Sequence, residues 1–157
     1  MTHDPLTERL LTDLKSDDES TRARATQELW RAWFYQKGAA GFAQIERSQA
    51  LIEEGNVNRA ETILCDLIRA EPDFAEAWNR RAVLYFMQKS YRKAIADCRE
   101  VISLNPIHFG AHNGLGLCFA AIGEYRKAIA SFRRALDIQP HALENQRMIL
   151  ECTRMLS

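Results

Sequence analysis

Phe109 to Ala142 reads FGAHNGLGLCFAAIGEYRKAIASFRRALDIQPHA. Two short amphipathic stretches meet at Gly123, and Pro140 closes the second. Apolar residues recur at helical spacing in both, and an alanine, Ala128, stands where a close helix crossing would leave no room for a larger side chain. Gly123 suits a residue at positive φ between paired helices, which is cheap only without a Cβ. Pro140 cannot continue a helix, so the chain must turn there.

The same punctuation recurs upstream. Alanines at 60, 94 and 128 and prolines at 72, 106 and 140 are spaced by 34 residues. The apolar slot four residues after each alanine holds Leu64, Cys98 and Phe132, and the slot three further on holds Leu67, Val101 and Ala135. Gly55 matches Gly123, whereas the intermediate copy has Lys89, which predicts a different or longer turn there.

Leu115-Gly116, Phe119, Gly123, Tyr125, Ala128, Phe132, Ala135 and Pro140 fall at the offsets of the tetratricopeptide signature, whose period is about 34 residues. The chain therefore resembles tetratricopeptide-repeat (TPR) proteins. The resemblance implies an all-α, right-handed solenoid of three helix pairs, 41–74, 75–108 and 109–142. Helices are expected at about 41–54 and 57–70, 74–88 and 91–103, and 108–122 and 125–137. The first copy is the most degenerate, with Gln44, Arg47 and Ser48 where the signature prefers an aromatic, a leucine and a glycine. The second restores Trp78, Ala82 and Tyr85, with Arg81 as its exception.

The flanks lack the signature. Asp4-Pro5 opens a helix over about 5–15 with the stripe Leu6, Leu10, Leu11 and Leu14. Ser16 to Glu19 has capping-box spacing, and the helix it starts carries Leu29, Trp30, Trp33 and Phe34 before a Lys37-Gly38 stop. Residues 1–40 are expected to cap the N-terminal end, with the tryptophans as core, and one helix in 143–157 to cap the other.

The 21 basic and 21 acidic residues cancel, which argues against a nucleic-acid or anionic-membrane partner. No apolar run approaches a membrane span and the first residues lack a signal-peptide pattern, so a cytoplasmic setting is the expectation. Cys65, Cys98, Cys118 and Cys152 have no zinc or redox spacing and are expected as buried free thiols. His108 and His112 are four apart, but Phe109 occupies the place of the HExxH glutamate, so structural histidines are expected. There is no phosphate loop, GxSxG elbow or Cys/His nucleophile pattern. The expectation is no enzyme, no cofactor and no metal.

The resemblance implies a protein- or peptide-binding scaffold, with a structural module filled by its own chain or a second protomer as the alternative. In the family the first helices of the pairs line the concave face. The corresponding residues here are Glu76, Asn79, Arg80, Val83, Phe86 and Met87, then Asn113, Gly114, Leu117 and Ala120. Asn79 and Arg80 would orient a partner, while Phe86 and Leu117 hold an apolar anchor. The family's clamp for acidic chaperone tails needs cations or asparagines at positions that are Ile45, Gln49, Arg80, Gly110 and Gly114 here. Arg80 is the single cation among them, so the clamp is absent.

Overall fold

The computed structural model describes residues 3–157, which contain nine α-helices: α1 (Pro5–Asp13), α2 (Glu19–Phe34), α3 (Gly38–Glu53), α4 (Val57–Ala70), α5 (Ala75–Met87), α6 (Tyr91–Leu104), α7 (Phe109–Ala121), α8 (Tyr125–Ile138) and α9 (Leu143–Met155). Successive helices pack antiparallel, and the first helices of neighbouring pairs also touch, α3 with α5 and α5 with α7. Among the described residues no helix is long and apolar enough to cross a membrane.

The periodic residues make the crossings. Ala60, Ala94 and Ala128 have no exposed surface. Gly116 lies directly against Phe132; a Cβ there would come within 2.6 Å of the ring. In the second pair the same two slots hold Ala82 and Cys98, both buried, so a larger residue on the first helix goes with a smaller one on the second.

One hydrogen bond repeats with three different donors. Trp78 Nε1–H donates to the Pro72 carbonyl at 2.9 Å, His112 Nε2–H to that of Pro106 at 2.9 Å, and Gln146 Nε2–H to that of Pro140 at 3.0 Å. Each ties the first helix of a pair to the turn that delivers it. The expected aromatic slot is therefore also a donor slot, which is why histidine and glutamine serve in it.

Two local expectations are corrected. The turn at Lys89 is neither longer nor different: Lys89 takes φ +61° beside +81° at Gly55 and +80° at Gly123. The closing bond from Ser90 N–H to the Tyr85 carbonyl matches those of Asn56 to Leu51 and Glu124 to Phe119. The ladder of the flanking helices imposes the turn, and lysine bears the strain. The cap of α2 is Asp18, not Ser16: its carboxylate accepts from the Thr21 N–H at 3.0 Å and from the Thr21 and Ser20 hydroxyls at 2.7 Å. Those donors, Thr21's hydroxyl foremost, hold its pKa down at about 2. Ser16 Oγ instead accepts from the Asp18 N–H.

Candidate functional site

The face shared by α5 and α7 is where the predicted binding residues meet. Val83, in the middle of α5, is 43% exposed, and Met87, at its C-terminal end, is 57% exposed. Val83, Phe86, Asn113, Gly114 and Leu117 converge on a cleft of about 210 Å³, with Cys98 and Cys118 at its floor. Ala120 is half-buried near its end. Asn113 is partly committed, since its amide donates to Asn145 Oδ1 on α9 at 2.6 Å.

Glu76, Asn79 and Arg80 behave differently. Glu76 has no exposed surface and Asn79 is 6% exposed. Glu76 Oε1 accepts from Asn79 Nδ2 at 3.0 Å and from Arg80 Nε at 3.1 Å. The Ala111 backbone N–H donates to His108 Nδ1 at 3.0 Å, so the proton of the neutral ring lies on Nε2 and donates to Glu76 Oε2, also at 3.0 Å. Every polar atom of this buried group has a partner. Glu76 thus belongs to a network beneath the face rather than to its surface, and Arg80 Nε and Asn79 Nδ2 each donate to it.

What covers this network comes from α2, far away in the chain. Trp33 stacks on His108 with ring centroids 4.4 Å apart, and Trp30 meets His108 and Phe109 edge-on at 5.1 and 5.4 Å. Phe34 carries the Arg80 guanidinium 4.8 Å above its ring. Gly110 admits Trp30: a Cβ would stand 2.7 Å from the indole Cη2.

Helix α2 thus lies across the N-terminal ends of α5 and α7, on the face where the binding residues stand. Along its length it meets all three inter-repeat turns in reverse order. The Thr26 hydroxyl accepts from Gln139 at 3.2 Å, Trp33 covers His108, and Gln36 donates to the Asp73 carbonyl at 3.0 Å. Lys37 closes the series on Asp73 at 2.8 Å and Glu71 at 3.4 Å. From Thr26 to Phe34 the helix advances about 12 Å, and the turn through Gln36 and Lys37 completes the reach across the stacked helix pairs. Trp30, Trp33 and Phe34 are therefore packing residues: Trp30 and Trp33 join the core of α1 and α2 to His108 and Phe109, and Phe34 lies under Arg80 of α5.

The thiols and histidines carry no catalytic geometry. The neighbouring Cys118 thiol, together with burial, pushes the Cys98 pKa far up. Cys152 is buried, whereas Cys65 is half-exposed and accepts from Arg81 Nη1 at 3.3 Å, so burial describes three of the four cysteines. Arg81, the exception to the signature, spans to Asp97 with two bonds of 2.8 and 2.9 Å. Among the described residues no three His, Cys, Asp or Glu side chains are grouped to hold a metal.

Comparison with known proteins agrees with this geometry. The tetratricopeptide repeat family model matches residues 75–108 and 110–142. A TPR repeat-containing protein of Rhizobium etli is 31% identical over 117 residues, covering 74% of this chain and 57% of the relative. The chain thus spans little more than half the length of that relative. The first TPR of Spaghetti (RPAP3), solved with an HSP90 peptide SRMEEVD, superposes with a TM-score of 0.70 at 21% identity, over 73% of this chain and 90% of that one. An O-GlcNAc transferase mutant of Thermobaculum terrenum shares the fold with a TM-score of 0.64 at 22% identity, over 70% of this chain and 21% of that one. At such identities the solved structures speak for the fold alone. Residues 75–108 and 110–142 thus form two tetratricopeptide repeats.

Proposed function

We propose that the protein is a non-enzymatic binding scaffold that holds a peptide segment of a protein partner on the concave face of a right-handed solenoid. In this reading 41–74 is a third, degenerate repeat beside the two matched ones, and α9 caps the C-terminal end. The observation that carries the proposal is the cleft of about 210 Å³ between α5 and α7, with Val83, Phe86 and Leu117 turned toward it. A small, mostly apolar recess walled in part by Asn79 and Asn113, whose amides donate to Glu76 and Asn145, suits one apolar anchor of an extended or helical segment.

The structural neighbour's acidic peptide is not the ligand expected here. Ile45, Gln49, Gly110 and Gly114 offer no cation at the clamp positions, and Arg80 is engaged by Glu76 and Phe34. No fork of charges remains to hold two carboxylates. Calorimetry with SRMEEVD should show no micromolar binding.

The alternative, a face filled by the chain itself, is favoured by one observation, the seat of α2 over His108 and Gly110. It accounts for the N-terminal ends of α5 and α7 but leaves the cleft at Val83 and Leu117 open. Affinity capture from the native cell tests the scaffold reading. Leu117→Glu and Val83→Glu, each with an intact helical melt, should lose the partner that the wild type retains. Retention at full affinity by both would contradict it.

A further inference from the structure

The open cleft and the seat of α2 are one continuous surface. Gly110 contributes to both: it lines the cleft and touches the Trp30 indole. Asn79 is likewise on the cleft wall while bonded to Glu76 in the network beneath α2. A segment bound in the cleft and running on toward the N-terminal ends of α5 and α7 must meet Trp30.

The seat is built for aromatic rings. It offers the face of the His108 imidazole to Trp33, a missing Cβ at Gly110 to Trp30, and the Arg80 guanidinium to Phe34. Each is a recognised complement of an aromatic side chain. Helix α2 meets them with rings at i, i+3 and i+4, one turn of one helical face.

Its attachment is that of a separable part. Within the repeats, the buried core of α1 and α2 enlists Phe109, with the half-buried Ile138 against it; Phe34 is the one apolar residue of α2 packed on the core of the first repeat pair, and the core of the later pairs includes none. An open cleft of about 550 Å³ lies along α1 and α2, and Leu6 and Tyr35 beside it are 54% and 45% exposed. The connection to α3 is the short stretch Tyr35–Lys37 followed by Gly38 at φ +71°.

From this we propose that α2 is an intramolecular ligand of the concave face, and that the partner this face takes is an amphipathic helix with aromatic side chains at i, i+3 and i+4, which displaces α2. The proposal rests on the concave-face reading above. A tethered competitor acts at an effective concentration on the order of millimolar, so a partner's apparent affinity falls by the fraction of molecules held closed. The hairpin thereby sets a threshold that only a better aromatic helix, or one present at high concentration, overcomes.

The test uses the full chain and a fluorescent peptide of residues 17–36. In the triple variant Trp30→Ala, Trp33→Ala and Phe34→Ala all three rings leave the seat while its walls are untouched. The peptide should bind this variant at least tenfold more tightly than the wild type, and adding Gly110→Ala should abolish binding, because the peptide's Trp30 then has no room. Equal affinity for wild type and variant, no binding to the folded variant, or indifference to Gly110→Ala would each overturn the proposal.

Hydrogen exchange on the unaltered protein tests it without substitutions. Amides of α2 should exchange at least tenfold faster than those of α5 to α8, through an opening that leaves the repeats protected. Exchange of α2 together with those helices would show it to be a fixed part of the core. Failure of either experiment strikes the displacement proposal alone; the scaffold reading fails separately if Leu117→Glu keeps the native partner.

Discussion

His112 donates its Nε2–H to the carbonyl of Pro106 at 2.9 Å, the bond that Trp78 makes to Pro72 one repeat earlier. Trp78 cannot titrate, but His112 can. Burial, with the Arg134 charge adding to it, depresses the His112 pKa below 6.5, so the unfolded chain takes up a proton more readily than the folded one. Stability from this group is complete above about pH 6.5 and is lost as the pH falls through the lowered folded value. The capping Asp18 acts in a separate window, since its depressed pKa matters only below about pH 4.

His112→Gln should therefore keep the bond, as Gln146 does to Pro140, and remove the titration. Denaturant midpoints at pH 7 and pH 5 should fall less in the variant than in the wild type. Equal losses would mean that His112 is not the buried group responsible.

Gly116 and Phe132 should be energetically coupled. Gly116→Ala places a Cβ within 2.6 Å of a ring that is itself fully buried, and overpacking of this kind costs roughly 1–3 kcal/mol. Phe132→Leu alone opens a cavity, but in the double variant the smaller side chain should accommodate the new methyl. A double-mutant cycle should return a coupling of at least about 0.5 kcal/mol; additivity would place the two residues out of contact.

Lys89 bears the strain that Gly55 and Gly123 avoid. Its φ of +61° lies in the left-handed region, where a side chain costs about 1 kcal/mol and glycine almost nothing. Lys89→Gly should raise stability by roughly 0.5–1 kcal/mol, the remainder being offset by greater freedom in the unfolded chain. A variant that melts lower than the wild type would show that the lysine side chain makes a contribution this turn geometry does not account for.

The repeat was legible because its signals are local. Alanine at a crossing, glycine or its substitute at positive φ and proline after a helix each act within a few residues, so spacing in the chain transfers directly into space. The Lys89 turn shows the limit of that logic: residue type suggested a change that the two flanking helices did not permit. The seat of α2 lay beyond sequence reasoning for another reason. The stripe of Leu29, Trp30, Trp33 and Phe34 says that a face is buried without saying against what, and His108 to Gly110 lie more than seventy residues further along. Helical phase assigned Glu76 and Arg80 to the face, but phase cannot show that Glu76 would be buried beneath it, paired with Arg80 and His108.

If partners bind on the proposed face between α5 and α7, amide chemical-shift mapping of the labelled full chain, titrated with the segment recovered by affinity capture, should show it. The largest perturbations are expected at Val83, Phe86, Asn113 and Leu117, with α4, α6 and α8 little changed. Perturbations concentrated on the outer helices, or on the exposed Leu143 and Leu150 of α9, would contradict it.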